Sequence, residues 1–188
     1  MNPEKTYLNE DEKIRALNIA RKTIEARARG EKVSSINASS AVFKEKRGAF
    51  VTIHKNGMLR GCIGYVEALK PLGETIAEMA IAASTQDPRF PQVNEKELKE
   101  IDIEISVLTP LRKINNPEEI EVGKHGILIR KGFYSGLLLP QVATEYGWDR
   151  KTFLEHTCTK AGLPKNAWKE DINIYIFSAQ VFGEKKRS

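Results

Sequence analysis

Between Asn56 and Val66 the chain reads NGMLRGCIGYV, which places Cys62 two residues after Arg60 and between Gly61 and Gly64. The thiolate is the nucleophilic form of cysteine, and a cationic neighbour favours it. The spacing therefore suits Cys62 as a nucleophile or covalent carrier with Arg60 holding its ionised form. Glycine weakens a strand and is kept where a bulge forms or where a backbone or ligand comes close, so Gly61 and Gly64 predict a groove beside the thiol. A thiol nucleophile also needs a base, and the chain offers His54, His125 and His156. His125 is the best placed, since GKHGILI holds it at the entrance to a strand. Arg89 and Phe90, in the stiffened loop DPRFPQV, are presented between two prolines, with Arg89 suited to an anionic substrate group. The structural alternative makes Cys62 a half-buried packing residue and pairs Arg60 with a surface carboxylate.

The elements that must position these groups follow from periodicity. Asn9 with Glu12 has capping-box spacing, and Ile14, Leu17, Ala20 and Ile24 predict a helical stripe ending at Gly30. Lys32 to Ser40 is polar and small. AFVTIHKNGMLRGCIGYV reads as two strands joined by a type I′ turn at Asn56-Gly57. With a regular two-residue turn, Ile53 opposes Arg60 and Val51 opposes Cys62, so Arg60 and Cys62 share one face. Phe50, Leu59 and Ile63 then form the core face, and His54 also lies away from the thiol. Pro71 opens a helix with Ile76, Met79, Ala80 and Ala83 on its apolar stripe, ending before Asp87-Pro88. Ile101, Ile103, Ile105 and Val107 alternate with polar residues as a half-buried strand.

Farther on, HGILIRKGFYSGLLLP predicts a hairpin turning near Lys131-Gly132, and Pro140 opens a short helix. Asp149 caps another helix that stops at Gly162. Its apolar face holds Phe153, Leu154, Thr157, Cys158 and Ala161, which makes Cys158 a packing residue, while His156 is expected in solvent. INIYIFSAQVF reads as one long β run returning the C-terminus to the sheet. Hairpins mixed with single helices give an α+β class with a mainly antiparallel sheet and flanking helices.

The composition narrows the function class. The 188 residues are 40% hydrophobic and 29% charged, without an apolar run long enough to span a bilayer. Two cysteines in unlike surroundings give neither a disulfide framework nor a CxxC zinc site, so no metal and no cofactor is expected. The N-terminal segment reads as neither secretory signal nor transit peptide, which makes the cytoplasm the expected location. The net charge of +5 comes partly from RKTIEARARGEK and the basic tail 183–188, expected to be flexible. These read as solvated ends, and nucleic-acid binding by the first helix is a reading they do not by themselves indicate. GxGxxG after a strand, GxxxxGK[ST], HExxH and GxSxG are all missing, so nucleotide-binding, metalloprotease and α/β-hydrolase readings lack their signatures.

LRGCIGY at 59–65, DPRFPQV at 87–93, EISVLTP at 104–110, VGKHGILI at 122–129 and LLLPQVATEYGWD at 137–149 together resemble the AMMECR domain family, in order over about residues 10 to 182. The short chain resembles archaeal members. The resemblance implies one α+β domain over 1–188 with a larger and a smaller lobe, and it makes Leu59 to Gly64 the hallmark. It marks Arg60, Gly61, Cys62, Gly64, Arg89, Phe90, His125, Gly126, Pro140 and Gln141 as site candidates, with Glu replacing Gln141 in some relatives. The family has no established reaction. Its members occur fused to, or encoded beside, Memo-like and radical-SAM proteins. The implied role is an enzyme or substrate-binding component for a small molecule or nucleobase, acting through a groove around Arg60 and Cys62. The alternative is a non-catalytic module binding a protein or ligand.

Overall fold

Asn9 opens the first helix through a capping box: its side chain accepts the Glu12 N–H while the Glu12 carboxylate accepts the Asn9 N–H. In the computed structural model, which describes residues 7–33 and 40–184, that helix is α1 (Glu10–Ala28). Gly30, at φ 71°, takes the left-handed conformation just beyond its end. The buried face of α1 carries Ala16, Ala20 and Ile24, not the expected Ile14, which is 57% exposed. Ile14 stands about 200° of helix rotation from Ala16, and the small Ala16 and Ala20 let α1 lie close against α2 (Leu72–Thr85). Residues 34–39, most of the expected polar connection, lie outside the described residues.

The described residues divide into two compact units, one reaching Leu108 and resuming at Gln180, the other spanning Thr109–Ala179. In the first, β1 (Ala49–Lys55), β2 (Met58–Tyr65), β3 (Ile101–Leu108) and a last strand at 179–183 form a sheet in which β1 lies between β2 and β3. The β1–β2 turn has the expected form, with Asn56 at φ 53° and Gly57 at φ 79°. Past it the register departs from a regular hairpin. His54 opposes Leu59, then a bulge intervenes, and Ile53 opposes Gly61, Thr52 opposes Cys62 and Val51 opposes Ile63.

The extra residue exchanges the faces of everything beyond it. Ala49, Val51 and Ile53 are fully buried against α1 and α2, while Phe50 is half-buried on the other face and Leu59 is 41% exposed. The expected core face of Phe50 and Leu59 is corrected: both share the face of Thr52 and His54 in either register, and that face is the open one, whereas Ile63, which the bulge moves, packs against the core. Cys62 now shares the open face with Thr52 and His54.

The second unit holds β4 (Arg112–Ile114), β5 (Gly126–Lys131), β6 (Tyr134–Leu138) and β7 (Asn173–Phe177), in the order β4-β7-β5-β6. Pro140 opens α3 (Pro140–Glu145), and Asp149 caps α4 (Arg150–Lys160) by accepting the Thr152 N–H at 2.7 Å. Phe153, Leu154 and Cys158 pack on Ile127, Ile129, Ile174 and Ile176, so Cys158 is a core residue. The single β run expected at the C-terminus is split at Ser178: β7 belongs to the second sheet and β8 (Ala179–Gly183) to the first. Both sheets are antiparallel wherever their registers are defined, and the class is α+β. Among the described residues no helix is long and apolar enough to cross a membrane.

Candidate functional site

Gly61 and Gly64 are explained by the protein's own atoms. A Cβ on Gly61 would stand 2.2 Å from the Ala83 carbonyl oxygen of α2, and one on Gly64 would stand 2.3 Å from the Phe50 ring. Close packing of helix and ring on β2, not a ligand, excludes a side chain at both positions.

Arg60 is the extra residue of the bulge, and with Gly61 it opposes Ile53. Its side chain is buried and spent on structure: Nε and Nη2 donate to the two carboxylate oxygens of Glu97, each at 3.0 Å. Nη1 donates to the Pro91 carbonyl at 2.8 Å and Nη2 to that of Gln92 at 3.3 Å. Such a bidentate fork fixes both partners. Arg60 and Glu97 also line an open pocket of about 370 Å³, with Lys55, Lys96 and Gln92, but Cys62 is not part of it. The expected pairing of Arg60 with the thiol on one face is therefore corrected: the bulge turns Arg60 toward Glu97, a buried carboxylate and not a surface one.

The arginine that accompanies Cys62 is Arg89. Asp87 is buried at the start of the loop that follows α2, and its Oδ2 accepts the Cys62 N–H at 2.9 Å. Arg89 closes on the same carboxylate, with Nε to Oδ1 at 2.9 Å and Nη2 to Oδ2 at 2.7 Å, and its own N–H bonds Oδ1 at 3.1 Å. The Asp87 carboxylate is the main reason that the Arg89 pKa is raised. Half of the Arg89 side chain remains exposed, and its guanidinium lies 5.4 Å from the Phe90 ring centre. On the sheet side, the Thr52 hydroxyl donates to Cys62 Sγ at 3.3 Å. Cys62 itself is half-buried.

His125 and Gln141 belong to the second unit. His125 Nδ1 accepts the Glu121 N–H at 3.1 Å, and burial pushes its pKa down, so the neutral ring carries its proton on Nε2. Gln141 is half-buried in α3, where its carbonyl accepts the Thr144 hydroxyl at 2.8 Å. Gly126 and Pro140 are both buried there. His156 is exposed as expected, but its ring stacks on Trp148 at 3.9 Å, and Tyr146 stacks on Trp148 at 5.0 Å. Cys158 has no exposed surface, and burial pushes its thiol up. No group of three or more metal-binding side chains gathers among the described residues.

Sequence reasoning missed Asp87, Glu97 and Thr52. Glu97 had a readable signal, since Asn94 and Glu97 have the spacing of a capping box, which they form. Thr52 and Asp87 depend on the register and left no comparable mark.

These carboxylates make the first unit acid-sensitive. Arg60 is the main cause that holds Glu97 down at about 2, and Arg89, helped by the Cys62 N–H, holds Asp87 well below the usual carboxylate range. A pKa lowered by folding stabilises above the unfolded value and is lost as pH falls toward the folded one. Chemical unfolding followed from pH 6 downward should show stability falling from about pH 4.5, roughly the unfolded carboxylate range. Asp87→Asn or Glu97→Gln should flatten that fall, and an unchanged slope in both variants would remove the assignment.

The AMMECR1 family model matches residues 17–182. A Methanothermobacter thermautotrophicus protein is 46% identical over 94% of this chain and 96% of its own length, and a Methanocaldococcus jannaschii protein is 48% identical over 90% and 88%. The crystal structure of an uncharacterized Pyrococcus horikoshii protein, PH0010, superposes with a TM-score of 0.80 at 39% identity, covering 90% of each chain.

Proposed function

This chain belongs to the AMMECR1 family, and from that premise we propose that it is an enzyme or substrate-binding component for a small molecule or nucleobase, working at Cys62. The observation that carries the reading is the contrast between the two thiols. Cys158 is sealed in a core, whereas Cys62 is half-buried on the open face of a sheet, with a hydroxyl 3.3 Å from its sulfur and the Asp87–Arg89 pair beside it. The exposed part of Arg89 and the Phe90 ring suit a planar or anionic group next to the thiol. Arg60 supports this site by anchoring Pro91 and Gln92 of the same loop. The link to Memo-like and radical-SAM proteins remains a proposed partnership.

The test is alkylation of the native protein by iodoacetamide, followed peptide by peptide by mass spectrometry. Cys62 should react faster than a small peptide thiol between about pH 6 and 8, the window in which thiolate availability limits the rate. Cys158 should react only on unfolding. If Cys62 is no faster than the peptide, thiol chemistry is removed.

A further inference from the structure

Cys62 is one end of a row that crosses three strands. Thr52 on β1 directly opposes Cys62 on β2, and on its other side Thr52 directly opposes Glu104 on β3. Because the Cys62 N–H goes to Asp87 at the sheet edge, Thr52 and Cys62 form the narrow kind of antiparallel pair, whose side chains lie closest. Opposed side chains on one face have Cβ atoms about 4.5–5.5 Å apart. All three residues are half-buried, and their face is polar where the opposite face of the same strands is the core. Other titratable groups near the thiol are Asp87 and Arg89 from the loop, which satisfy each other, and His54 with Asp102, the next opposed pair on this face.

Resting on the reading that Cys62 reacts, we propose that Glu104 is the proton acceptor for Cys62 and that the Thr52 hydroxyl carries the proton between them. A hydroxyl donates one proton and accepts through two lone pairs, so Thr52 can take the S–H proton on Oγ1 while passing its own to the Glu104 carboxylate. The S–H bond breaks, an O–H bond forms on Glu104, and the electron pair stays on sulfur to form the bond to the electrophile. In the resting structure the Thr52 hydroxyl donates to Sγ at 3.3 Å, so it turns toward Glu104 as it accepts the S–H proton. A carboxylate is a far weaker base than a thiolate. Glu104 therefore acts as the sulfur attacks, and returns the proton to the leaving group or to water.

This role predicts a sign opposite to that of a bystander. A carboxylate that merely stands near a thiol disfavours the thiolate, so neutralising it would speed alkylation. Removing the proton acceptor slows it. The experiment is the same iodoacetamide reaction at Cys62, at pH 7, in Thr52→Val, Thr52→Ser, Glu104→Gln and His54→Ala, with thermal unfolding as the check on folding. With this reagent, iodide leaves with its electron pair and the proton stays on Glu104 until water takes it.

Thr52→Val and Glu104→Gln should each slow the reaction about tenfold, less than the roughly hundredfold that a positioned base contributes to its own substrate. Thr52→Ser should recover most of the rate that Thr52→Val loses, because it retains the hydroxyl. A faster reaction in Glu104→Gln, equal rates in Thr52→Val and wild type, or a loss confined to His54→Ala would each overturn the proposal while leaving Cys62 reactive. A slow wild-type Cys62 would instead remove the underlying reading together with it.

Discussion

Arg60→Ala is expected to destabilise the first unit by about 3–5 kcal/mol, the cost of leaving a buried charge without its partner. Arg60 and Glu97 are 8% and 9% exposed, and the guanidinium makes both carboxylate contacts as well as two contacts to loop carbonyls. Lys55 also reaches Glu97, at 3.2 Å, which places the loss toward the lower end. Glu97→Gln added to Arg60→Ala should recover part of it by removing the unpaired charge. Arg60→Lys should fall between, since an ammonium keeps the charge but loses the fork. Denaturant unfolding of the three variants measures this directly. If Arg60→Ala stayed within about 1 kcal/mol of wild type, in the range of an exposed pair, the hallmark arginine would have to act in chemistry and not in the fold.

Gly61→Ala is expected to be as severe, by a different route. The new methyl would stand 2.2 Å from a backbone oxygen of α2, and no side chain can rotate away to relieve it. Either α2 shifts or β2 does, which costs about 3 kcal/mol or more, the upper range for overpacking. Because Asp87 follows α2 by two residues, the shift should also loosen the Asp87 bond to the Cys62 N–H. Gly57→Ala is the contrast: at φ 79° with open space around it, it should show only the smaller cost of its backbone conformation. Equal unfolding midpoints for the two variants would mean that helix and strand are less tightly held than their geometry requires.

The parts of the fold governed by local chemistry were legible. Asn9 and Asp149 announced helix starts, Asn56-Gly57 announced its turn, and the Ile101–Val107 alternation announced a half-buried strand. That Cys62 faces away from the core was expected too, but its companions on that face were not legible, because a bulge is a backbone event that leaves the side-chain types unchanged. The alternation on β1 did point the right way, since Val51 and Ile53 are β-branched and buried while Thr52 and His54 are polar. Phe50, bulky but packed over Gly64, drew the core to the wrong side. The second sheet was hidden for another reason: nothing in INIYIFSAQVF marks Ser178 as the point where one run begins to serve two sheets.

That division at Ser178 also sets an order of assembly on the ribosome. The second unit runs without interruption from Thr109 to Ala179, so its strands are all available before β8 has emerged. The first unit was translated earlier, yet it waits for the last strand to cover the edge of β3. It also waits for Gln180 to receive the Leu8 N–H across 172 positions and for Glu184 to pair with Arg21. Contacts so distant in sequence close slowly, and an uncovered strand edge recruits neighbours in the meantime. Until β8 has joined β3, the earlier strands of the first unit are therefore the part of the nascent chain most exposed to aggregation.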